Sequence, residues 1–480
     1  MRVRAVALGA VAGLLALPVA ASAHPFGNMN TAFMPELPEV NVAAAQQAGA
    51  STFADAPPTE YAIENMEFLG FSPEPAPTFN RFNSDLAFQG DRAYQGSYDG
   101  FRILDITNPG NPAEVADVTD CASPGNSTVG QGDVTVYKNV LTRSVDAALP
   151  AGASCQGIAM PVGTQGLQVF DISNERRPEF VAYVPTQCGS HTATAVPLKQ
   201  RVVIYSTPSS GACPGIDVIS IPLKQPEAAD YVRFAAAGSP ISCHDTGVIL
   251  GEINRASCAG GQGFAVWDLG SGSRAAVENP QLLYAKDVKS TEGININTGH
   301  SAAFSNDGQT LVFGHEPSGG TAPRCLPTGT PINNATYPVQ TDDMKSFFFF
   351  ETDTGELQGR WTLPRPQTFQ ENCTLHNYNV LPNVRGRDIL VHGSYQSGIG
   401  VLDFTDPANA QELGYADPKP LNPNQLVIGG DWSTHYYNGV IYQSDITRGF
   451  LTWRYTGRET RGTRGLPRLN PQTQEFTTAG

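Results

Sequence analysis

The chain predicts an all-β fold, a seven-bladed β-propeller of four-stranded blades, and three observations carry that expectation. Glycine (49) and proline (37) are abundant, and no long stretch holds a 3.6-residue apolar period, which suits short strands and turns rather than helices. A strand-and-turn unit, GFRILDITNPGNPAEV at 100–115, recurs closely as GLQVFDISNERRPEFV from Gly166 and GIGVLDFTDPANAQEL from Gly398. Weaker copies start at Gly215, Gly263, Ser346 and Gly449, which makes seven. Each copy is preceded by two more strand-like runs, such as SDLAFQG and RAYQGSYDG. Strands a, b, c and d, repeated radially, are the sequence signature of a propeller.

The elements follow in order. Residues 1–23 combine Arg2 and Arg4, an apolar run from Ala5 to Val19 and the small-residue site Ala21-Ser22-Ala23, the pattern of a secretory signal peptide. Residues 24–60 form an extension expected to be irregular. IENMEFLGFSPE at 63–74 reads as a lone strand d. The last repeat, THYYNGVIY, QSDITRG and FLTWRYT, lacks that strand. A propeller closes when one terminus completes the other's blade and leaves no open sheet edge. The propeller is therefore expected over 61–457, with a polar C-terminal tail over 458–480.

Composition narrows the setting. The net charge is −15, without the basic patches that bind nucleic acid. No later segment reaches about 18 consecutive apolar residues, so no transmembrane segment is expected in the mature chain. The expected location is the periplasm, the cell surface or the medium, and the expected state a monomer. Eight cysteines in an oxidising compartment imply disulfides. Cys121, Cys188, Cys243 and Cys373 fall in d–a loops, and Cys155, Cys213, Cys258 and Cys325 in b–c loops of the same blades. These loops share one face, so the topology pairs Cys121–Cys155, Cys188–Cys213, Cys243–Cys258 and Cys325–Cys373. The longest insertions, 144–162 and 317–343, lie on that face too.

GFRILDITNPGNP resembles the LVIVD repeat of exported bacterial β-propeller proteins. Only the copies at Gly100, Gly166 and Gly398 are close; Ser220, Glu351 and Arg454 stand where the usual strand-c aspartate is expected. The resemblance implies a propeller and an exported location, and it implies no reaction.

A second register runs through the repeats. Just before each strand a stand Asp85, Asp133, His191, His244, His300, His376 and His435, a register that takes in five of the eight histidines. Strand a is the innermost strand, so these positions are expected to ring one mouth of the central channel. Glu252, His315, Glu316 and Asp445, from the ends of strand b, are expected toward the same face, and His392 matches Gln95 of the first blade. In one reading the histidines fasten adjacent blades, as Gly-His pairs do in WD40-type propellers. In the other, several of His191, His244, His300, His376 and His435 ligate copper, zinc or iron, with Asp85 or Asp133 completing the shell. A metal–nitrogen bond of about 2.0–2.1 Å limits the ligands to three or four. Imidazole alone does not choose the metal. Trp432, Tyr436, Tyr437 and Tyr378 read as core before they read as a sugar-binding channel. No GxGxxG, Walker A, GxSxG or HExxH motif is present. Two functions follow: a scaffold that binds an unidentified small molecule or protein, or a metal-dependent redox or hydrolytic enzyme.

Overall fold

The strands bury most of their side chains because each blade is clamped between two others. Strand c of the first blade, Gly100–Asp105, is buried at five of its six positions, whereas the outermost strand, Ala113–Val118, buries only its last residue fully. Inner strands therefore read as near-continuous apolar runs and outer strands as mixed ones. The recurrent aspartate that ends strand c is a turn-former. Asp105, Asp171, Asp268 and Asp403 each accept the backbone N–H two residues on, at 2.8–3.0 Å, which shapes the c–d turn.

The architecture is a seven-bladed β-propeller, seen in a computed structural model that describes residues 61–475 apart from 74–81, 120, 122–130, 209–212, 321, 325, 333, 366–367, 383–385, 422–423, 425 and 427–428. The expected signal peptide and the extension to residue 60 lie outside the described residues. Blades 1 to 7 carry strand a at Asn83–Gln89, Val134–Tyr137, Thr192–Leu198, Asp245–Ile249, Gly299–Phe304, Tyr378–Val380 and Asp431–Tyr437. Within each blade neighbouring strands pair antiparallel, in the order a-b-c-d. Seven hydrophobic clusters fill the seven gaps between blades. One of them joins Phe88 and Leu104 of blade 1 to Tyr442 and Phe450 of blade 7 and so closes the circle.

Both termini take part in closure. Met66–Pro73 is the missing strand d of blade 7, paired with Gly449–Tyr455. Tyr61–Glu64 does something else: it pairs with Gln411–Pro418 and adds a fifth strand to blade 6. The C-terminal segment enters the central channel. Arg468–Leu469 pairs with the end of strand a in blade 1, and Thr473–Gln474 with the end of strand a in blade 4. Between them Asn470 bonds both backbone groups of Val136 in blade 2, and Thr473 donates to Ala195 O in blade 3. The Gln474 side chain bonds both backbone groups of Phe304 in blade 5. Strand a is an exposed edge wherever nothing covers it. This segment covers that edge in five blades. It meets the C-terminal ends of the strands, so it fills the channel from the face opposite the strand starts.

Three disulfides staple the face on which strand a begins: Cys121–Cys155, Cys188–Cys213 and Cys243–Cys258. Cys373 is disulfide-bonded as well; its expected partner, Cys325, lies outside the described residues. No helix among the described residues is long and apolar enough to cross a membrane.

Candidate metal centre

His244 shows how the fold sets a side chain at the channel mouth. Cys243, fixed by its disulfide, adopts φ 48°. His244 N donates to Ala259 O at 2.5 Å. A Cβ built on Gly260 would lie 2.2 Å from Cys243 N and 2.9 Å from His244 N. Only glycine lets strand b press this closely against the loop, so the backbone beneath His244 is fixed from two sides.

The ring positions divide into two levels. At the mouth His191, His244, His300 and His376, from blades 3 to 6, form an arc with successive ring centroids 4.4, 4.3 and 4.3 Å apart. The arc ends on Trp432 of blade 7, 4.9 Å from His376. Asn377 pairs with Ser433, which sets Trp432 level with His376. His435 lies three residues further along its strand, roughly 10 Å deeper at the usual rise of a strand. There its Nε2 meets Asp85 Oδ1 at 2.9 Å, while Gln472 of the channel segment donates to Asp85 Oδ2 at 3.0 Å. Asp133 accepts from Ala193 N at 2.6 Å. His435 thus fastens blade 7 to blade 1 and stands apart from the arc.

The arc has a carboxylate of its own. Glu316 follows the last residue of strand b in blade 5 and is fully buried. One ligand atom each from His244, His300 and Glu316 lie within 4.8 Å of one another. Ligands 2.0–2.2 Å from a common transition-metal ion have such spacings. Glu316 Oε1 also accepts from the Tyr395 hydroxyl at 2.7 Å and lies 3.7 Å from His376 Nε2. The flanking histidines are oriented from behind: His191 Nδ1 lies 2.8 Å from Asp146 Oδ2, and His376 Nδ1 2.5 Å from Trp432 O. Carboxylate and carbonyl acceptors on Nδ1 fix the ring and its tautomer, as they do behind metal-bound imidazoles.

Burial governs the acids. It raises Glu316 to about 7, against the favourable charge of His376. It raises Asp245 to about 7, with the Asp85 charge adding to the shift. It drives Asp133 well above the carboxylate range, again with help from Asp85. Asp85 is also opposed by burial, but the hydrogen bond and charge of His435 outweigh it and hold the carboxyl low.

Other sequence-selected residues go elsewhere. Glu252 lies in the a–b turn of blade 4, at the opposite face from His244, because strand a ends at Ile249 and strand b starts only at Arg255. His315 bonds Asp343 O at 2.5 Å, and burial lowers its pKa to about 4. His392 packs against Phe347 and Trp361, bonds Ser394, and is lowered to about 3 by burial and by Arg365. Asp445 is spent on Thr447 N and the Arg448 backbone and guanidinium. Tyr378, Tyr436 and Tyr437 are interblade core. Asp146, Tyr395 and Tyr98 at the mouth were not selected from sequence. Signals for them exist: Asp146 follows strand b of blade 2 as Glu316 follows strand b of blade 5, and the tyrosines share the turn motif GSY.

No family model and no curated protein matches the chain. Solved structures do match, at low identity. The chain resembles the computationally designed Ika8 protein at 11% identity, over 81% of this chain and 99% of that one, with a TM-score of 0.41. It resembles hydrazine synthase of Kuenenia stuttgartiensis at 12%, over 76% and 93%, with a TM-score of 0.48. For a chain of the mitotic checkpoint complex the values are 10%, 84%, 98% and 0.44. Likeness at this level carries no argument about function.

Proposed function

We propose that this chain is an exported β-propeller of the LVIVD-repeat type that binds one divalent transition-metal ion, copper, zinc or iron, at the mouth of its channel. His244, His300 and Glu316 are the ligands, His191 and His376 flank them, and Asp146 and the Trp432 carbonyl orient the flanking rings. The convergence of one atom each from His244, His300 and Glu316 within 4.8 Å carries the reading. Three protein ligands leave coordination positions for an exogenous molecule, the arrangement of a catalytic rather than a structural ion. Such an ion polarises an oxygen or generates a metal-bound hydroxide for hydrolysis, and copper or iron adds redox chemistry. The Gln472 end of the channel segment closes the path from the far face, so approach is from the stapled loops. The disulfides are compatible with an oxidising compartment.

The stapled loops on the approach face favour a second reading, a binding scaffold in which the ion orders the mouth for a partner. Elemental analysis of purified protein, wild type against a His244→Ala/His300→Ala double variant, tests the metal. About one ion per chain, lost in a folded variant, is expected. No metal in either protein, with a variant that is merely less stable, would reduce the histidines to blade fasteners.

A further inference from the structure

Two copies of one turn, QGSYDG at 95–100 in blade 1 and HGSYQSG at 392–398 in blade 6, each bring a tyrosine to the channel mouth. Tyr98 and Tyr395 are both 1% exposed and share an apolar cluster with Phe82, Trp432 and Ile446. Their hydroxyls differ. Tyr395 spends its own on Glu316. The Tyr98 hydroxyl has no hydrogen bond of good geometry among the described residues, although the Gln131 side chain is close enough to act on its oxygen as a donor. Gln131 is 2% exposed, and its Nε2 likewise has no hydrogen bond of good geometry among the described residues. Leaving such buried polar groups unmatched is costly, and native structures rarely do so without a ligand or water to answer them.

Their position gives the pair its meaning. Around the mouth, blades 3 to 6 contribute the histidine arc and blade 7 contributes Trp432, so Tyr98 of blade 1 and Gln131, at the entry to blade 2, complete the circle opposite the arc. Glu316 and Asp146 are near enough for their charges to act on the Tyr98 phenol. A phenol O–H and an amide N–H are donors, and both can serve one acceptor.

We propose that Tyr98 and Gln131 are the second half of a ligand site whose ligand is a small carboxylate or oxyanion, bound to the metal ion through one oxygen and hydrogen-bonded to Tyr98 and Gln131 through another. The inference rests on the metal centre proposed above. An acceptor-only anion matches two donors and a cation, whereas a neutral polyol would bring donors of its own that face no acceptor on this side.

Full-length protein loaded with Co(II) tests it, with acetate as the probe and the visible d–d bands as the signal. Cobalt content is measured in wild type, Tyr98→Phe and Gln131→Leu before each titration. The expected result is unchanged cobalt content with acetate Kd raised about tenfold in Tyr98→Phe and in Gln131→Leu, since each variant removes one charge-assisted hydrogen bond. Tyr98→Phe deletes a single oxygen that has no hydrogen bond of good geometry among the described residues, so its thermal midpoint should match wild type or exceed it. Full cobalt loading with acetate affinity within about twofold of wild type in both variants would overturn the subsite and leave the metal centre standing. Failure of the wild type to bind cobalt would overturn both.

Discussion

Replacing Asn470 by alanine should unseat the channel segment at its tightest point. The Asn470 side chain accepts from Val136 N and donates to Val136 O, both at 2.8 Å, and it is 1% exposed. Val136 lies on the channel edge of blade 2, where no fifth strand supplies a partner. Truncation leaves one buried N–H and one buried C=O unanswered, at about 1–3 kcal/mol each. Water entering the space vacated by the amide returns part of that, so the expected loss is about 2–4 kcal/mol. Equilibrium unfolding in urea measures it, and amide hydrogen exchange locates it, because protection at Val136 should fall along with global stability. A loss below about 0.5 kcal/mol, the scale of an ordinary surface substitution, with Val136 still fully protected, would refute the docking of the segment.

The other predictions concern the mouth and its staples. Asp146→Asn removes the carboxylate behind His191, which flanks the ligands without binding the ion, and should weaken metal binding by no more than about tenfold without unfolding the protein; competition against a chromophoric chelator measures this. Glu316 is buried and its pKa is raised to about 7, so in metal-free protein its contribution to stability is fully present below its unfolded value of 4.5 and is lost as pH rises through 7. Glu316→Gln should therefore match metal-free wild type near pH 4 and become progressively more stable than it between pH 4.5 and above 7, as read by urea midpoints; a constant difference across that range would contradict the burial argument. The Cys243–Cys258 bridge closes a 15-residue separation, so the double serine variant should lose about 3 kcal/mol. It should also bind metal less tightly, since Cys243 anchors the loop of His244, and calorimetric metal titration measures that loss.

Much of the fold was legible because a propeller repeats its own physics. The blades repeat the same apolar inner strands, and four of the seven repeat the aspartate that closes the c–d turn, so the copies at Gly100, Gly166 and Gly398 announce the period. The missing strand d and its replacement at Met66–Pro73 followed from edge closure. The channel segment was not legible. Asn470, Gln472, Thr473 and Gln474 bind backbone edges by hydrogen bonds, and a segment held that way has no apolar periodicity to show. The histidines were found as a register, but aligning them on residue identity hid their depth. His435 lies only three residues before the Asn438-Gly439 turn that ends its strand, whereas His244 lies six before the turn that starts at Leu250. Counting from the turn would have placed Trp432 in the arc and His435 below it. Glu316 was selected, but its meeting with His244 and His300 depends on two contacts the sequence does not display: the pairing of strands a and b that sets Glu316 beside His300 in blade 5, and the packing of blade 4, which brings His244, against that blade.

The central claim is that His244, His300 and Glu316 share one ion. Anomalous diffraction from crystals of the zinc- or copper-loaded protein, recorded on both sides of the metal's absorption edge, tests it most directly. The account predicts one strong peak about 2.0–2.2 Å from a nitrogen of His244, a nitrogen of His300 and an oxygen of Glu316. A peak elsewhere, or none in the channel while the histidine arc is well ordered, would contradict it.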